Sequence, residues 1–129
     1  MSYLINRLEE FSDILEELYA ELPGEILQHL NGGIIIEEDA CYHPMSEDKE
    51  IICLGAYKRN ILGNSIIMYY GSFMELFWDL PHDEFREKIK HTLYHELTHH
   101  IETMAGEKGL LEEDIEFIKD YRNKKLRGK

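Results

Sequence analysis

Long apolar runs are missing from these 129 residues, and nothing approaches the roughly 20 consecutive apolar positions of a membrane-crossing helix. Cysteine is scarce, two residues in all. Cys41 and Cys53 lack the paired C-x-x-C spacing of a structural zinc site, so both read as free structural thiols. The opening segment MSYLINRLEEFSD is acidic where a signal peptide is basic and then apolar, so the expectation is a cytoplasmic protein. Basic residues are outnumbered, 14 Lys and Arg against 26 Asp and Glu, for a formal charge of −12. A surface of that sign does not gather phosphates, which argues against nucleic acid as the main partner. The exception is 119–129, KDYRNKKLRGK, with six basic residues against one acidic; that surplus of five leaves the rest of the chain at about −17. It reads as a solvated tail.

What is present is ordinary for one globular domain: 43% apolar and 11% aromatic residues, with no internal repeats and no low-complexity linker. Leu4, Leu8, Phe11, Leu15 and Leu18 recur at helical spacing and predict an amphipathic helix over 2–20, stopped by Pro23-Gly24. Glu25 to Leu30 reads as one or two further turns. After the Asn31-Gly32-Gly33 breaker, Ile34 to Ile36 predict a buried strand. Residues 39–50 read as a polar loop, Ile51 to Tyr57 as a second strand, and Ser65 to Tyr70 as a third. Lys58-Arg59-Asn60 and Gly63-Asn64 flank the reversal between these last two. Phe73 to Trp78 reads as one apolar turn. From Pro81 a long helix follows, with Phe85, Ile89, Leu93, Leu97, Ile101 and Met104 on one stripe. Gly106 and Gly109 stop it, and Leu110 to Tyr121 reads as a last helix. The order of elements predicts an α+β fold with a short, mixed or mostly antiparallel sheet beside the long helix.

Chemistry concentrates in that helix, in HELTH. His95 and His99, four apart, share one helix face and can chelate a single zinc ion. Glu96, next in sequence, points about 100° round the helix and can take a proton from a water on the metal's open side. On a helical wheel with Phe85 at zero the apolar stripe covers about 0–160°, whereas the two histidines fall near 280–320°. They therefore do not belong to the helix's core face. A third ligand is open between Glu102, on the same face, and the acids Glu107, Glu112, Glu113 and Asp114 beyond a helix break. His91 reads as a surface or supporting residue and His100 as a packed, hydrogen-bonded one. Tyr69 and Tyr70 read as core residues, or as contacts to a substrate backbone if their strand is the sheet edge.

Residues 91–102, HTLYHELTHHIE, resemble the active helix of the small bacterial zincin-like metallopeptidases, which typically reads HTLLHEIGHHFG. Residues 54–77 are similar to that family's strand–turn–strand approach to the helix, so the resemblance covers about 34–105. It implies a zincin-like fold, Zn2+ bound by His95 and His99, Glu96 as general base, and hydrolysis of peptide or protein substrates. The sequence departs from the family's longer pattern, HExxHxxGxxD, with Glu102 where Gly is expected and Ala105 where an acid is expected. The expectation is therefore a zinc peptidase with His95, His99 and Glu102 as ligands. The alternative is a zincin fold without turnover, serving as a metal-binding or protein-interaction module.

Overall fold

A computed structural model describes residues 6–43, 51–61 and 63–105. Outside them lie residues 2–5 of the first predicted helix, the second half of the polar loop, the glycine stop at 106–109, the last predicted helix and the basic tail.

The chain begins with helices α1, Leu8–Ala20, and α2, Gly24–His29. Strand β1, Gly33–Glu37, follows, then the two-residue strands β2, Cys41–Tyr42, and β3, Ile52–Cys53. Strands β4, Gly55–Asn60, and β5, Gly63–Tyr69, lead into helices α3, Tyr70–Phe77, and α4, His82–Ala105. The main sheet runs β1-β5-β4, with β5 parallel to β1 and antiparallel to β4. The expected α+β architecture with a short mixed sheet is what forms. Among the described residues no helix is long and apolar enough to cross a membrane.

Three readings change. The segment 39–50 contains β2, which pairs with β3, so it is not loop throughout. The stretch 51–57 divides into β3 and β4, and Lys58, Arg59 and Asn60 belong to β4 rather than to the reversal after it. The third predicted strand, β5, is the centre of the sheet and β4 its edge. Tyr69 and Tyr70 are therefore not edge contacts. Tyr70 packs edge-on against Phe11 at 5.3 Å, and its hydroxyl accepts the Arg7 backbone N–H at 2.7 Å.

The core lies between the sheet and the helices. Ile66 and Met68 of β5 are fully buried, as are Phe11, Phe73 and Phe85 from three different helices. Those rings meet at centroid separations of 5.1 to 6.5 Å, the range in which tilted aromatic pairs attract. The N-terminal end of α1 is fixed to α4 by Arg7. Its guanidinium lies 3.9 Å over the Phe85 ring, pairs with Glu10 at 2.7 Å and donates to the Leu80 carbonyl at 2.6 Å.

Candidate metal centre

Helix α4 shows three stripes at helical spacing. Phe85, Ile89, Leu93, Leu97 and Ile101 are buried in the core. Thr92, Glu96 and His100 are also buried, along β4. His91, His95, His99 and Glu102 form the exposed stripe. The placement of the two HELTH histidines off the apolar face thus agrees with the sequence pattern.

The imidazoles of His95 and His99 converge. Their Nε2 atoms are 3.4 Å apart and the rings are nearly perpendicular, at 83°. Two nitrogens bound tetrahedrally to one zinc at 2.0–2.1 Å stand about 3.3–3.4 Å apart. The pair therefore fits the family's ion as half of a chelate. Glu102 is exposed on the same stripe. Among the described residues no group of three His, Cys, Asp or Glu side chains stands ready to hold a metal, so Glu102 is not gathered into a preformed triad with the histidines. Glu107, Glu112, Glu113 and Asp114 lie outside the described residues.

Glu96 occupies the seam between the buried and exposed stripes, with 8% of its surface exposed. Among the described residues it forms no hydrogen bond or ion pair. Burial pushes its carboxyl above the usual carboxylate range, and the nearby His95 and His99 partly oppose that shift. A carboxylate held this way is more basic than one in water, as a proton acceptor needs to be.

The close approach that buries Glu96 depends on Gly55, the first residue of β4. A Cβ at that position would lie 3.0 Å from the Thr92 methyl, 3.2 Å from the Ile67 carbonyl oxygen and 3.4 Å from Cγ of Glu96. A methyl there would be crowded on three sides, and its neighbours would have to give by a few tenths of an ångström. Gly55 was not singled out as a site residue from the sequence, although a glycine inside a strand is a known mark of close approach. Thr92 was missed as well, and nothing in its local sequence signals its contact with β4.

A cleft of about 270 Å³ opens at this point. Ile52, Leu54 and Gly55 form one wall; His91, Thr92, His95 and Glu96 form the other. Roomier hollows of 410 and 570 Å³ lie along α1, lined mainly by aliphatic, serine and acidic side chains. Neither has a histidine in its lining, whereas the smaller cleft brings His91 and His95 beside Glu96. His100 is fully buried and its Nδ1 is 2.8 Å from the Tyr57 hydroxyl, the packed and hydrogen-bonded role that its wheel position implied.

No functionally curated protein matches the chain. Among solved structures, a conserved hypothetical protein from T. thermophilus is similar, with 29% identity and a TM-score of 0.67. The match covers 78% of this chain and 99% of that one. A family model described as zincin-like metallopeptidase matches residues 7–121, well beyond the 34–105 that the motif and strand pattern suggested. With the fold, the HELTH helix and a match over most of its length, the chain belongs to the zincin-like metallopeptidase family.

Proposed function

We propose that this protein is a zinc-dependent peptidase in which His95 and His99 hold the ion through Nε2 and Glu96 is the general base. The observation that carries the reading is the 3.4 Å convergence of the two Nε2 atoms beside the buried Glu96 carboxylate. Glu102, one turn beyond His99 on the same exposed stripe, is assigned as the third ligand, reaching the ion by a change of rotamer. Zinc bound there supplies Lewis acidity, polarising the scissile carbonyl and lowering the pKa of the attacking water.

Glu96 accepts the proton from that water and later delivers it to the leaving amine. Its burial favours the uptake. The substrate is a peptide or protein segment in extended form. Among the described residues strand β4 ends the three-stranded sheet and runs beside α4, so an extended segment can add to the sheet there and pass over the cleft. A cytoplasmic site of action is part of the same proposal.

Metal content and turnover test it together. The protein should bind one zinc per chain and hydrolyse unstructured peptides. Glu96→Gln should retain the ion and lose about 10²–10⁴-fold in kcat. Glu102→Ala should weaken zinc affinity at least tenfold while leaving the fold intact. Undiminished hydrolysis by Glu96→Gln would overturn the mechanism. Stoichiometric zinc with no cleavage of any peptide would identify a metal-binding module on the same fold.

A further inference from the structure

Cys41 and Cys53, twelve residues apart in sequence, are register partners across the β2–β3 ladder. Directly opposed residues of antiparallel strands have Cα atoms about 4.5–5.5 Å apart, inside the roughly 4.4–6.8 Å that a disulfide spans. Both thiols are free and half-buried. Opposed Cβ atoms stand about 4.5–5.5 Å apart against the roughly 3.5–4.5 Å of a disulfide, so a small approach of the two strands joins the sulfurs.

The two strands are held by different neighbours. β2 is anchored on α3: the Cys41 N–H donates to the buried Ser72 hydroxyl at 2.9 Å, and the Tyr42 hydroxyl donates to the Glu75 carboxylate. β3 is held to β2 by two residue pairs and by the His43 N–H to Ile51 carbonyl bond at 2.8 Å, and just beyond it the Leu54 carbonyl accepts the Tyr69 N–H of β5 at 3.0 Å. Yet β3 carries one wall of the cleft, since Ile52 and Leu54 on either side of Cys53 both line it.

We propose that Cys41 and Cys53 form a reversible intrachain disulfide, a modification site that fastens the cleft wall to the anchored strand β2. The oxidant is a small-molecule disulfide of the glutathione type. One cysteine thiolate attacks a sulfur of that disulfide, forming a mixed disulfide and releasing one thiolate. The second cysteine then attacks the protein-bound sulfur and expels the other half. Two protein thiols lose two electrons and two protons, and the small disulfide leaves as two thiols. Burial, with Cys41 and Glu96 adding to it, pushes the Cys53 thiol up, which disfavours it as the first attacking thiolate. None of this requires a bound ion or hydrolysis, so it stands or falls apart from the peptidase reading.

The test equilibrates the purified full-length chain with oxidised and reduced glutathione at graded ratios, followed by peptide mapping and amide exchange. The expected product is one Cys41–Cys53 cross-link, lighter by two hydrogens and reversed by reduced glutathione. Amide exchange over residues 52–54 should slow about tenfold in the oxidised form. Cys53→Ser and Cys41→Ala should each abolish the cross-link and leave glutathione on the remaining cysteine. Stable mixed disulfides on both cysteines of the unmodified chain, or links between chains, would overturn the pairing. A cross-link that leaves exchange over 52–54 unchanged would overturn its effect on the wall.

Discussion

Tyr57 and His100 show how a polar pair can be built into the back of the HELTH helix. His100 is fully buried, and its pKa is lowered chiefly by that burial, although the Ile26 backbone works the other way. The ring is thus neutral, with Nδ1 engaged by Tyr57 and Nε2 without a hydrogen-bond partner among the described residues. One half of the imidazole already lacks a partner, so the remaining bond matters. Tyr57→Phe removes a single oxygen, keeps the ring that packs edge-on against His100 at 5.3 Å, and leaves Nδ1 unpaired as well. Urea unfolding should show a loss of about 1–3 kcal/mol. An unchanged midpoint would mean that water replaces the hydroxyl. His99 neighbours His100 in sequence, so the variant should also loosen zinc binding by a smaller factor than Glu102→Ala.

At the scale of elements, α4 and β4 decide the site together, and Gly55 is where they meet. Gly55→Ala puts a methyl 3.0 Å from the Thr92 side chain and 3.2 Å from the Ile67 carbonyl. Both contacts are tighter than ordinary packing, so the Thr92 side chain and the strand backbone must each give by a few tenths of an ångström. A cost of about 1–3 kcal/mol in stability is expected from such overpacking, together with a fall in kcat, because Cγ of Glu96 is the next atom met. Adding Thr92→Ser, which deletes the opposing methyl, should recover part of both losses; a double variant no better than the single one would refute steric crowding. This contact also marks the limit of what the chain's pattern reveals. The 3.6-residue periodicity of α4 was legible because Phe85, Ile89, Leu93, Leu97 and Ile101 all enter one core, and the same wheel placed the histidines outside it. Periodicity describes one element at a time. It carried no information on strand order, so the central position of β5 and the edge position of β4 emerged only from the pairings. Two-residue strands have no period to detect, which is why β2 and the opposition of Cys41 to Cys53 were hidden in a polar stretch. The third ligand was undetermined for a related reason: Glu102 shares a helix face with the histidines, but sharing a face does not fix a side-chain reach.

Across the whole molecule, the chain ends of the described core are joined by charge. Glu10 on α1 receives both Nε and Nη2 of Arg7, at 2.7 and 2.8 Å, and Nδ1 of His82 at the start of α4 at 2.7 Å. Arg7 in turn reaches the carbonyls of Trp78 and Leu80, between α3 and α4. One carboxylate thus supports three helices, and its bidentate pairing with Arg7, followed by the contact to His82, lowers its pKa from an ordinary 4.5 to about 2. The sign of the linkage follows from that direction. The folded state holds Glu10 ionised more strongly than the unfolded state does, so its contribution is complete above pH 4.5 and is lost as pH falls toward 2. Glu10→Gln keeps the shape but not the charge, and it leaves Arg7, 8% exposed, without its counter-ion. At pH 7 the variant should be less stable by about 1–2 kcal/mol, a figure kept low because the pair is partly open to solvent. Denaturant titrations of both proteins should give parallel pH profiles above about pH 5. The gap should then narrow steadily between pH 4.5 and 2, as the original chain loses a charge the variant never had. A gap that stays constant into acid would show that the helices are held by packing around Phe11, Phe73 and Phe85, with the ion pair contributing nothing.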